Sequence, residues 1–271
     1  GAADPPQVSP NPAPATLLNV AHAWPEAHQT VNPSVVVAVS GGGSGTGIAA
    51  PINGTVDLAN ASRAIKDKET ALAEKNGQDP VQHTVGFDAL AIFLHGDNPL
   101  DEISIEQLAG IYGDGGEIMN WTDLGVEVPG CKGQEIVVVS RQNNSGTYAY
   151  FRDAVLGKSD FKLGTRDMHG SKDVVDLVEK TPCAIGYSGL AYATDHIKLG
   201  CVAQETGGPC VNPSVDSAID GSYPIARPLF MYTNGEPTGH VGDYLNWIKS
   251  DEGQCIILEK GYAPATEANC S

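Results

Sequence analysis

Basic residues are scarce: 16 Lys and Arg stand against 33 Asp and Glu in 271 residues, a formal net charge of −17. That balance repels nucleic-acid phosphates and anionic lipid headgroups, and no Lys/Arg cluster offsets it locally, so no nucleic-acid partner is expected. At first sight it also weighs against a small anionic ligand. Long apolar runs are missing too. No stretch approaches about 18 consecutive apolar residues, so no membrane-spanning helix is expected. The N-terminus lacks a basic segment followed by an apolar core, and any signal peptide is expected to have been removed already. Several chemical signatures are absent. There is no C-x-x-C and no cysteine–histidine pairing at zinc-finger spacing, so neither a metal nor a cofactor is expected. There is no G-x-x-x-x-G-K-[ST] loop, and no G-x-S-x-G elbow at Ser40, Ser44 or Ser145. The seven histidines (22, 28, 83, 95, 169, 196 and 240) are scattered without ligand spacing and are expected on the surface or in packing.

The six cysteines are Cys131, Cys183, Cys201, Cys210, Cys255 and Cys270. An even count fits up to three disulfides and an oxidising, extracytoplasmic compartment, with free thiols in a cytosolic protein as the alternative. Cys201 with Cys210 and Cys255 with Cys270 are the local pairs; spacing alone does not choose among the pairings. Residues 1–14 are proline-rich and are expected to form an extended tether. Beyond them, short β-branched runs alternate with helical periodicity. A helix is expected over 15–29, with strands at 35–39, 56–62, within 83–100, at 135–140, at the start of 183–193 and at 228–233. Helices are expected at 66–77, at 103–113, after 145, at the end of 183–193 and near the C-terminus. Trp24, Trp121 and Trp247 are expected in the core. The alternation indicates an α/β fold with mostly parallel sheets.

One local device occurs twice. Ser44-Gly45-Thr46 and Ser145-Gly146-Thr147 each follow a β-branched strand and open a helix. The first N–H groups of a helix have no partner within it and point outward at the positive end of its dipole. Glycine admits a ligand close to the backbone, and the hydroxyls add donors. Either turn alone could be only a helix cap. Two together, one preceded by Arg141 with its two-pronged guanidinium, point to an oxyanion. Charge-assisted hydrogen bonds contribute about 1.5–3 kcal/mol each, enough for local donors to hold a small anion against an acidic background. Gly45-x-Gly47-x-x-Ala50 also fits a relaxed dinucleotide fingerprint, but no acidic residue ends a strand about 20 positions later.

These motifs resemble the PstS-like phosphate-binding proteins of bacterial high-affinity phosphate ABC transporters. The resemblance runs from about Thr16 to Tyr262. Its landmarks are SGTGI (44–48), NGTVDLANASR (53–63), DALAIFL (88–94), IEQLAGIYG (105–113), VVVSRQNNSGTYAYF (137–151), AIGY (184–187) and YPIARPL (223–229). It implies a two-lobed periplasmic-binding-protein (Venus flytrap) fold, type II-like, with hinge strands joining the lobes around a buried anion. It assigns Ser44 to the first-lobe donors and Arg141, Ser145, Gly146 and Thr147 to the second-lobe cradle, with Thr16 and Leu17 at the start of the first helix. Where members carry an aspartate that accepts the phosphate proton, this sequence reads Ser62-Arg63, and Asn143 stands where members often place an aspartate beside the arginine. Lobe I is expected over 15–88 and 190–271 and lobe II over 89–189, from crossings near 86–90 and 185–192.

The implied function is extracytoplasmic capture of inorganic phosphate by a monomer and its delivery to membrane permease subunits, with no chemistry on the ligand. The alternatives are a binding protein or sensor for another oxyanion (arsenate, sulfate, molybdate or tungstate) and a nucleotide-binding enzyme, for which no base or metal cluster is found.

Overall fold

The computed structural model describes residues 7–13, 18–31, 36–41, 54, 57–61 and 64–271. They fall into two compact units: the described residues up to Phe87 together with Arg227–Ser271, and Asp88–Ala226.

The first unit begins with β1 (Gln7–Ala13), α1 (Leu18–Val31) and β2 (Val36–Gly41), and β1 pairs parallel with β2. Residues 7–13 of the proline-rich segment are therefore a strand and not a free tether, while residues 1–6 and 14 lie outside the described residues. Proline's fixed φ suits extended backbone; Ser9 and Pro10 fall at the register shift between Val8 and Asn11, and Pro12 stands opposite Ser40. Strand β3 (Ala59–Ala61) and helix α2 (Asp67–Lys75) follow. Strand β4 (Pro80–His95) then carries the chain across the boundary at Phe87.

The second unit continues with β5 (Glu102–Ser104) and α3 (Ile105–Tyr112), whose capping box is reciprocal: Gln107 N donates to Ser104 Oγ at 3.1 Å and Ser104 N to Gln107 Oε1 at 3.0 Å. Next come β6 (Val137–Arg141), α4 (Gly146–Leu156), β7 (Arg166–Met168), α5 (Ser171–Lys180) and β8 (Ala184–Gly189). Only a 3-10 turn, Leu190–Tyr192, follows β8 where a helix was expected. The unit closes with β9 (Ile197–Leu199), β10 (Cys201–Ala203), β11 (Cys210–Val211) and α6 (Val215–Ile219). Strand β12 (Ala226–Asn234) returns to the first unit, followed by α7 (Gly239–Lys249), α8 (Asp251–Glu259) and β13 (Ala263–Pro264).

The first crossing, at 87/88, lies inside the expected window; the second lies at 226/227 and not near 185–192. The reason is pairing. Strand β8 aligns with β4 from Leu90↔Gly189 to Leu94↔Ile185, β9 pairs with β4, and β10 pairs with β5, so residues 190–226 stay in the second unit. Strand β6 lies between β7 and β8 and runs parallel to both. Helices α4 and α5 supply the crossovers that parallel neighbours need. Strand β4 pairs antiparallel with β8, β9 and β13, whereas β1 with β2, β5 with β10, and β6 with β7 and β8 are parallel, so the sheets are mixed.

Burial explains the apolar run of β4. Leu90, Ile92 and Leu94 join Tyr112, Trp121, Phe151 and Tyr187 in one core. Ala91 and Phe93 face the other way into a second core with Val139, Val174 and Val178 of α5. A strand covered on both faces reads as continuous hydrophobicity. The first unit buries Trp24, Val85, Leu229, Tyr244 and Ile257 together. Trp24 and Trp121 are core residues, as expected; Trp247 is only half-buried.

Three disulfides are formed: Cys201–Cys210 and Cys255–Cys270, the two local pairs, and Cys131–Cys183. The last closes 52 residues against 9 for Cys201–Cys210. Loop-closure entropy then gives about 4 kcal/mol for the long loop and about 2.6 kcal/mol for the short one. Of three double-alanine variants compared by calorimetric melting, Cys131→Ala/Cys183→Ala is expected to lose the most stability.

His28 of α1 is 3% exposed and meets the rings of Tyr244 and Trp247 edge-on at 5.1 and 5.2 Å. Burial lowers its pKa below the ordinary 6.5, against the raising pull of Asp243 and Glu252. The unfolded chain therefore binds the proton first. The contribution of the neutral ring is complete above the unfolded value of 6.5 and is lost as pH falls toward the lower folded value. Urea unfolding between about pH 7.5 and 5 is expected to show that loss in the wild type and a shallower one in His28→Phe.

Candidate functional site

Everything described of the expected site sits at the carboxyl end of β6. That end is fixed from below by two tyrosines. The Tyr112 hydroxyl donates to Val139 O of β6 at 2.8 Å and reaches Ile185 O of β8 at 3.3 Å, tying the two strands together. The Tyr187 hydroxyl lies 2.7 Å from Ser140 Oγ and accepts from Arg141 N at 3.4 Å. Ser140 Oγ in turn donates to Arg141 O at 3.5 Å, so one consistent set of directions closes a ring around the Ser140–Arg141 backbone. Tyr187 stacks on Phe151 with centroids 3.8 Å apart, and Tyr112 meets both rings edge-on. Burial raises both phenols well above their ordinary pKa, so they stay protonated donors at neutral pH.

Above this base, the strand ends in Arg141 and the chain turns through exposed Gln142, Asn143 and Asn144 into α4. Ser145 is the helix cap, its Oγ accepting from Thr147 N at 3.1 Å and Tyr148 N at 3.4 Å. The cap and the donor are compatible roles, because the oxygen accepts while the hydroxyl proton remains to donate. Arg141, Ser145, Gly146 and Thr147 are all half-buried, and the turn borders a polar groove of about 440 Å³.

The guanidinium is held by the neighbouring turn. Nη1 donates to Ser171 Oγ at 2.7 Å and Nη2 to His169 O at 3.2 Å. This follows from the parallel register, which sets Arg141 opposite Met168, so that the β7–α5 turn emerges beside the β6–α4 turn. Gln142 N extends the ladder to Met168 O at 3.0 Å. Two helix N-termini and one arginine therefore share the carboxyl edge of a parallel strand pair, the usual place for a ligand crevice in such sheets. The arrangement suits binding of an oxyanion by dipoles and one cation. Among the described residues no group of three His, Cys, Asp or Glu side chains is placed to hold a metal ion.

Known proteins resemble this chain over most of its length. A family profile described as the PBP superfamily domain matches residues 13–252. The phosphate-binding protein PstS of Pseudomonas aeruginosa is 33% identical over 260 residues, covering 92% of this chain and 80% of its own length. The chain is a PstS-like member of the PBP superfamily. Among solved structures, a Planctomyces limnophilus protein superposes with a TM-score of 0.82 at 23% identity, covering 97% of this chain and 94% of its own. At that identity the likeness speaks for the fold, which is two-lobed in these proteins. A Clostridium perfringens protein, solved with bound phosphate, is 26% identical with a TM-score of 0.61, over 96% of this chain and all of its own.

In this PstS-like chain the structure brings together Arg141, Ser145, Gly146 and Thr147. Thr16, Leu17, Ser44, Ser62 and Arg63 lie outside the described residues, as does the glycine pattern at 45–50. Tyr187, Ser140, Ser171 and the His169 carbonyl carry no functional expectation from sequence. The β7–α5 turn did carry a faint signal: Gly170-Ser171 precedes Asp173, whose Oδ2 accepts from Gly170 N at 3.0 Å, the mark of a helix start. Tyr187→Phe removes the hydroxyl between Ser140 and Arg141 N. It is expected to destabilise the protein by about 1–3 kcal/mol in urea unfolding with an unchanged m-value, because the partners left behind are buried.

Proposed function

We propose that this PstS-like protein captures inorganic phosphate outside the cytoplasm, as a monomer, and delivers it to the permease subunits of an ABC transporter without altering it chemically. The observation that carries the reading is the Arg141-x-x-x-Ser145-Gly146-Thr147 turn at the carboxyl end of β6, with its guanidinium oriented by the next turn. The names of the relatives support it, and three disulfides support an oxidising compartment. In the proposed complex Arg141 supplies the charge, and Ser145, Gly146 and Thr147 supply hydroxyl and amide donors at the head of α4. Thr16, Leu17, Ser44, Ser62 and Arg63 are proposed as further donors. The net charge of −17 does not oppose this, since donors in contact with the anion act at short range while distant carboxylates are screened by salt. It does disfavour nucleic acid as a partner.

Calorimetric titration of the ligand-free protein with phosphate, arsenate, sulfate and molybdate is the test. Phosphate is expected to saturate one site. Arg141→Ala is expected to weaken it by at least about a hundredfold, since two or more charge-assisted hydrogen bonds are lost. No heat with phosphate while another oxyanion saturates would overturn the assignment of ligand. Retained affinity in Arg141→Ala would overturn the site.

A further inference from the structure

We propose that Ser171 is a positioning residue for the Arg141 guanidinium, and that the β7–α5 turn is thus a working part of the oxyanion site; this rests on the reading of that site given above. An arginine at the end of a strand has a long, freely rotating side chain, and its planar donors serve a tetrahedral anion only when the plane is fixed. Here the two terminal nitrogens of one fork are held at two points of one turn, Nη1 by Ser171 Oγ at 2.7 Å and Nη2 by His169 O at 3.2 Å. Two bonds on different nitrogens fix the plane and hence the direction of every other N–H. Both acceptors are neutral, so these bonds orient the cation without cancelling its charge, as a carboxylate would.

Ser171 is itself held rigidly. It is the first residue of a ten-residue helix whose Val174, Val175 and Val178 are buried on the sheet. Gly186 of β8 leaves room for the valines of this helix. A Cβ there would lie 2.8 Å from Val174 Cγ1 and 2.9 Å from Val178 Cγ2. Asp173 closes the first turn by accepting from Gly170 N. The hydroxyl therefore occupies a position set by packed backbone. Its oxygen accepts from Arg141, and its proton remains to be donated onward toward the same anion.

The experiment compares wild type, Ser171→Ala, Ser171→Thr and Arg141→Ala by calorimetric titration with phosphate, alongside ligand-free melting and the side-chain ¹⁵N–¹H resonances of Arg141. Ser171→Ala is expected to weaken phosphate on the order of tenfold, and Ser171→Thr, which keeps the hydroxyl, to stay within about twofold of wild type. Melting of the ligand-free proteins is expected to be nearly unchanged. The Arg141 side-chain resonances are expected to be separate in the wild type and averaged by rotation in Ser171→Ala, a change that a purely structural role for the serine would not produce. Wild-type affinity and wild-type resonances in Ser171→Ala, with binding lost in Arg141→Ala, would overturn this inference and leave the phosphate site standing. Absence of phosphate binding by the wild type would overturn the functional reading, and this inference with it.

Discussion

The parallel register of β6 against β7 and β8 is the constraint on which the site depends. It brings the strand ends out together, so that the helices following β6 and β7 begin side by side and Arg141 reaches from one turn to the other. A shift of one residue would turn Arg141 to the opposite face and replace it with Ser140 or Gln142. The register is held by the hydroxyls of Tyr112 and Tyr187, which bond to the backbone of β6 or the side chain of Ser140 within a stacked aromatic cluster. Apolar packing and two well-satisfied polar anchors thus do together what neither does alone. The rings bury the base of the site, and the hydroxyls fix its height along the strand.

That division of labour resolves the conflict between a very acidic chain and an anionic ligand. Net charge governs encounters at the scale of the Debye length, whereas binding is decided by donors in contact with the ligand. Helix N-termini add positive potential without adding formal charge, so a protein with few basic residues can still present an electropositive crevice. In the proposed site Arg141 supplies formal charge, and its guanidinium is oriented. The neighbouring turn provides that orientation through a neutral hydroxyl and a carbonyl.

Much of the fold was legible because it rests on local patterns. The β-branched runs marked β2 and β6, the apolar run at 88–94 marked a strand covered on both faces, and Ser-Gly-Thr marked the head of α4. The local cysteine pairs formed. What escaped notice lacks local contrast. Strands β7, β9, β10 and β11 have three residues or fewer, too short for any periodicity, and exist only because a longer neighbour accepts their backbone. The proline content of residues 7–13 argued against a strand until β2 was there to pair with it. The second crossing between units was misplaced for the same reason, since only the pairing of β8, β9 and β10 shows to which unit residues 190–226 belong.

The sequence by itself pointed to the class of fold, the chemical class of ligand and the proposed site residues Arg141, Ser145, Gly146 and Thr147, because a strand–turn–helix cradle is built from consecutive residues. Tertiary structure decided what holds the arginine. Ser171 and His169 are about 30 positions away in the chain and are brought within hydrogen-bond distance only by the pairing of β6 with β7. It also paired Cys131 with Cys183 across 52 residues and placed Tyr187 beneath Ser140 from a strand 47 residues later. Contacts of that kind depend on which strands lie side by side, and sheet order is a property of the whole chain that no local window contains.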